Sequence, residues 1–182
     1  MFDLDQLATD CHKAVRAGPK AVREVIARAV REPGAVIKRI GEPKRAGIEV
    51  LHRSKEVTIL NLIWGPNMIL MPHDHRMWAV IGIYTGREDN IFWRRLPDQP
   101  DRIEAAGARS LCVGEAFPLG QDVIHSVLNP ISRLTGAIHV YGGDFLEQER
   151  SGWDPETLVE GSYDAEKLRR SLEESNQALG QA

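Results

Sequence analysis

An all-β sandwich or barrel with helices at both ends of the chain is the fold class this sequence predicts, and three observations predict it. Short runs rich in β-branched and aromatic residues fill positions 47–145, Gly/Pro/Asn/Asp punctuation separates them, and apolar residues at helical spacing lie on either side. The chain has 182 residues and 42% hydrophobic content, enough for one sizeable core. With no internal repeat, low-complexity tract or linker, residues 1–182 read as a single domain. It divides into a helical segment at 1–32, a β-core at 47–145 and a C-terminal helix at 162–179.

From Asp3 to about Arg31, Leu4, Leu7, Cys11, Val15, Val22, Val25, Ile26 and Ala29 recur at helical spacing, broken once by Gly18 and Pro19. That pattern predicts two amphipathic helices. The runs Val57–Trp64, Trp78–Tyr84, Asn90–Trp93 and Ala137–Tyr141 follow, each short and bounded by turn residues, as strands of a sandwich or barrel are. Trp64, Trp78, Trp93 and Phe92 belong in a core or pocket wall on this pattern, with no chemical role. At the end, Leu168, Leu172 and Leu179 stand among Glu, Lys and Arg behind an N-cap candidate at Ser162 or Asp164.

The formal net charge of -3 supplies neither a basic stripe for nucleic acid nor a polybasic patch for a membrane surface. Charged residues scattered through Met1 to Val30 leave no apolar signal-peptide core, and no stretch approaches a membrane span. A cytoplasmic protein acting on a small soluble molecule is the expectation. The two cysteines, Cys11 and Cys112, form no CxxC pair and suggest neither a disulfide framework nor a thiolate zinc site. GxGxxG and P-loop sequences are absent, so no nicotinamide, flavin or nucleotide is expected.

Pro72, His73, Asp74 and His75 precede the apolar stretch Trp78–Tyr84. In extended backbone, residues two apart share a face, so His73 and His75 can grip one ion while Asp74 points away. A third histidine, His125, stands on a separate segment where Pro118 and Gly120 lead into Val123–Asn129. A histidine in a β-rich segment is ordinarily a hydrogen-bonded structural residue, but imidazole is also a common metal ligand.

These residues resemble the two motifs of the cupin family: HxH with a later glycine (His73, His75, Gly86), then PxGxxHxxxN (Pro118, Gly120, His125, Asn129). The resemblance covers roughly Asn61 to Phe145 and implies a double-stranded β-helix, or jelly-roll, barrel with one metal on His73, His75 and His125. Four residues separate Gly120 from His125 where the usual motif has two. Where most cupins place a metal-binding glutamate, Trp78, Ala79 and Val80 stand, and Glu88 comes too late to replace it.

Within the cupins, the chain is most similar to bacterial members of the cysteine dioxygenase family, through Asn61, Trp64, Gly65 and the run Ile138–Tyr141. That resemblance implies a non-haem iron(II) thiol dioxygenase that converts a small mercapto-acid or cysteine-like thiol and dioxygen to a sulfinic acid. It implies His139 and Tyr141 as an outer-sphere pair beside the iron, and an arginine that holds the substrate carboxylate. Arg53 is the candidate, with Arg76, Arg87, Arg94, Arg95 and Arg133 as competitors. Ala137 replaces the family's serine, and no cysteine lies between His75 and Gly86, so a thioether crosslink to Tyr141 is not expected. Other three-histidine readings are cleavage of a β-diketone and a non-catalytic small-molecule-binding cupin. The strand edges of such a barrel leave room for a homodimer.

Overall fold

The computed structural model describes residues 2–181. Three helices lead the chain: α1 (Leu4–Val15), α2 (Pro19–Val30) and α3 (Pro33–Ile40). Asp3 caps α1 by accepting from the Gln6 N–H at 2.8 Å, and Pro19 and Pro33 open α2 and α3, where a missing N–H costs nothing. Two helices were expected here. The third was hidden because its Pro33-Gly34 start reads as punctuation, yet it ends only at Gly41.

Eleven strands follow: β1 (Gly47–Arg53), β2 (Thr58–Trp64), β3 (Ile69–Asp74), β4 (Ala79–Thr85), β5 (Arg87–Leu96), β6 (Gln99–Cys112), β7 (Ala116–Leu119), β8 (Ile124–Leu128), β9 (Thr135–Tyr141), β10 (Ser151–Trp153) and β11 (Glu160–Ser162). They form two antiparallel sheets, ordered β1-β2-β9-β4-β7 and β11-β10-β3-β8-β5-β6. Apart from the hairpins β1-β2, β5-β6 and β10-β11, consecutive strands alternate between sheets around a shared interior, which makes this a double-stranded β-helix. Helix α4 (Ala165–Leu179) closes the chain. Among the described residues no helix is long and apolar enough to cross a membrane.

Period-two alternation sorts the five-stranded sheet into two faces. Ile59, Val80, Tyr84, Ile138 and Val140 face outward and pack with Cys11, Val22, Ile26 and Val30 of the helices. The approach is close: a Cβ on Gly82 would lie 2.3 Å from Ile26. Leu60, Leu62, Ala79, Ile81, Ala137 and Tyr141 face inward, forming the barrel core with Leu70 and Val127 of the other sheet. Full burial of each such aliphatic side chain is worth about 1.5–3 kcal/mol.

Gly86 turns the chain from one sheet into the other. Its φ is +78°, and a Cβ there would lie 2.1 Å from Thr135 Oγ1, so only glycine fits the crossing. Thr135 Oγ1 secures the turn by donating to the Arg87 carbonyl at 3.0 Å and accepting its N–H at 2.9 Å. Past that corner, Glu88, Asn90 and Phe92 face the interior.

Candidate metal centre

Strands β3 and β8 pair so that His73 lies directly opposite His125, with the register shifted between Leu70 and His73. Alternation carries His75, one residue past β3, onto the same inner face, while Asp74 turns away and accepts the Ser151 N–H at 2.8 Å. The three Nε2 atoms converge, His75 to His73 at 3.2 Å and His125 to His75 at 3.1 Å. All three rings are buried.

The atoms behind the rings fix what they can do. His73 Nδ1 lies 3.0 Å from the Met71 carbonyl and His125 Nδ1 lies 2.6 Å from Asn90 Oδ1. Each nitrogen must donate to these acceptors, so Nε2 of both rings presents a lone pair to the centre. Burial first, and the neighbouring cationic groups after it, push His73 down to about 4 and hold His75 and His125 well below the ordinary histidine value. Neutral imidazoles are the ligand form.

Lone pairs held this close repel unless a proton or a metal cation lies between them. Metal–nitrogen bonds of about 2.0–2.1 Å bring coordinated nitrogens about 2.9–3.4 Å apart, as these are. The three histidines therefore form a group that can hold a metal ion, and no carboxylate belongs to it.

Glu88 is nonetheless close by, and its role differs from a ligand's. Fully buried, it accepts from Trp64 Nε1 at 2.7 Å and Asn90 Nδ2 at 3.0 Å, and lies 3.3 Å from His139 Nε2. Burial alone would raise its pKa, but the His139 charge and these three donors outweigh it and hold the carboxyl low. Since a carboxylate only accepts, His139 Nε2 carries a proton towards Glu88, and Nδ1 lies 3.2 Å from the Tyr141 hydroxyl. Glu88, His139 and Tyr141 thus form one chain. Burial raises the Tyr141 pKa, so the phenol keeps its proton. Its ring stacks on Phe145 at 3.7 Å and meets the edge of His75 at 5.2 Å.

The three histidines, His139 and Tyr141 all line one cavity of about 350 Å³, large enough for a small molecule. Its walls are mainly apolar: Leu60, Leu62, Leu70 and Val127 from the sheets, with Leu168 and Leu172 of α4 roofing it. The roof is fixed by Asn176, which accepts the Ala46 N–H at 2.7 Å and donates to the Ala46 carbonyl at 2.9 Å.

Arg53, expected at the cavity, lies on the outer surface. Its fork is taken up by Asp144 at 2.9 and 3.0 Å and by Glu147 at 2.7 Å. None of Arg76, Arg87, Arg94, Arg95 or Arg133 lines the cavity either. Arg150 does, from the segment between β9 and β10. Its guanidinium lies 4.1 Å from the Phe145 ring centre and 4.3 Å from that of Tyr163, and no carboxylate among the described residues pairs with it. Asn129, from the second histidine motif, proves structural: its amide donates to the Gly65 and Arg133 carbonyls, both at 2.8 Å.

No family model matches the chain. Among solved structures it is similar to an RmlC-like cupin family protein from Methanocaldococcus jannaschii (13% identity, 58% of this chain and 87% of that one, TM-score 0.48). A conserved double-stranded β-helix protein from Klebsiella pneumoniae matches at 9% identity over 64% and 87% of the chains, TM-score 0.49. The DMSP lyase DddQ from Ruegeria pomeroyi matches at 17% identity over 62% and 53%, TM-score 0.48. These are likenesses of fold. The site is defined by the chain's own residues, a buried three-histidine group in a double-stranded β-helix.

Proposed function

We propose that this chain is an iron(II)-dependent thiol dioxygenase of the cytoplasm that oxidises a small mercapto-acid to its sulfinic acid. One observation carries the reading: three neutral imidazoles, with no carboxylate among the ligands, face a cavity whose wall includes an uncommitted cation, Arg150. A neutral ligand set leaves a bound ion its full charge and favours anionic partners such as a thiolate. Iron(II), when bound, supplies the redox centre at which thiolate and dioxygen react. In the net reaction the thiol takes both atoms of one dioxygen molecule; sulfur gives up four electrons and dioxygen accepts four, so no further reductant is needed.

The protein's own groups orient and shield. Arg150, stiffened between Phe145 and Tyr163, receives the substrate carboxylate in bidentate geometry. Tyr141 offers a hydroxyl to the reacting atoms, and Glu88 through His139 sets which way that hydroxyl turns. The leucine walls and α4 exclude water.

The test is anaerobic reconstitution with iron(II), then oxygen-electrode assays on a panel of mercapto-acids, with mass detection of a gain of two oxygen atoms. Oxygen uptake with a mercapto-acid, lowered at least about ten-fold in kcat/KM by Arg150→Gln, supports the proposal. Uptake with β-diketones alone, or none with any thiol in iron-loaded protein, overturns it. Tyr141→Phe should lower turnover about 10²-fold or more with iron content unchanged.

A further inference from the structure

A second pair of histidines repeats the geometry of the metal centre on the outside of the barrel. His12 on α1 and His52 on β1 face each other with Nε2 atoms 2.9 Å apart, ring centres 5.0 Å apart and planes at 89°. The ligand pairs of the buried centre have Nε2 separations of 3.1 and 3.2 Å and ring centres 4.6 to 5.1 Å apart. Forty residues separate His12 from His52, so tertiary structure brings the two nitrogens together.

Two further features match. Glu56 Oε2 lies 3.4 Å behind His12 Nδ1, the position Asn90 occupies behind His125. A carboxylate on that side favours the proton on Nδ1, the tautomer that leaves Nε2 as a lone pair facing His52. On the strand side, the β1–β2 register shifts between Val50 and His52. Strict alternation would turn Leu51 and His52 to opposite faces. The irregularity lets Leu51 pack with the helical layer while His52 also meets α1. Both histidines are only half-buried, so an ion can reach them from solvent.

We propose that His12 and His52 form a second metal site, open to solvent and selective for a borderline divalent cation such as Zn²⁺, which clips the outermost helix to the edge strand of the five-stranded sheet. Two imidazole nitrogens from the protein suit zinc, copper or nickel better than magnesium or calcium, which favour oxygen ligands. Water completes the coordination. The site is independent of the buried centre and of the reaction assigned to it.

Protein loaded anaerobically with iron(II) is dialysed against zinc sulfate, and iron and zinc are counted separately per chain. Wild type should hold about one zinc more than His12→Ala, His12→Gln or His52→Ala, with iron content equal in all four. Glu56→Gln should still fill but bind about ten-fold more weakly. The difference between wild type and variants is the readout, whatever the buried centre holds. Equal zinc in wild type and in folded variants overturns the proposal, as does zinc that enters only as iron leaves.

Discussion

The N-terminal helices and α4 are both amphipathic covers on the same barrel, yet they are held in opposite ways. Cys11, Val22, Ile26 and Val30 are wholly buried against the outer face of the five-stranded sheet, whereas α4 has no buried residue at all. The first layer is held by apolar area; the last helix is held by Leu168 and Leu172 at the cavity and by the Asn176 clamp on Ala46. Local opening is easiest where few apolar groups are buried. The layer is scaffold, and α4 is the cover that less buried apolar area holds down.

Thiol labelling gives the largest expected contrast. Burial, with Asp10 adding to it, pushes Cys11 up to about 12, while Cys112 is exposed. A raised thiol pKa means less thiolate below it, about one part in ten thousand at pH 8. In native protein at pH 8, Cys112 should react with a disulfide reagent at least about 10³-fold faster than Cys11. Comparable rates would mean that the helical layer over Cys11 opens readily and is no scaffold.

Ile26→Ala should cost about 2–5 kcal/mol in urea unfolding, since it empties space between α2 and Gly82. A loss under about 1 kcal/mol would deny the layer its role as scaffold. Asn176→Ala removes two hydrogen bonds worth about 1–3 kcal/mol together. Its signature is faster amide exchange confined to α4, with the urea midpoint nearly unchanged; a large global loss would make α4 scaffold as well.

Acid gives the smallest effect. The Arg95 fork, aided by Ser151, holds Glu160 on β11 down to about 2 against a usual 4.5. Because the folded-state pKa is the depressed one, its stabilisation is present above about 4.5 and fades as pH falls from 4.5 towards 2. The pair is partly exposed, so the loss should stay below about 1 kcal/mol. Glu160→Gln should flatten that part of the pH–stability curve, and an unchanged curve would reject the assignment.

What could be read in advance followed short-range periodicity. Alternation put His73 and His75 on one face, the resemblance to two histidine motifs joined His125 to them, and helical spacing marked α1, α2 and α4. Glu88 lies at the first inward position after the Gly86 corner, and its inward direction depends on the crossing between sheets rather than on local pattern. Arg150 is aimed by stacking between Phe145 and Tyr163, residues on either side of it in non-strand segments. Arg53 had the right residue type on the right strand, but Asp144, distant in sequence, claims its fork.

The direct pairing of His73 with His125 also bears on when an ion can be captured. His75 and His125 are fifty residues apart in the chain, so a nascent polypeptide that has made only β3 offers a two-point grip. Full chelation waits for β8 to be synthesised and zipped into place. Native-only binding then adds RT ln(1 + [M]/Kd) to stability. A metal ion held by all three histidines would therefore be gripped fully only after β8 has paired with β3.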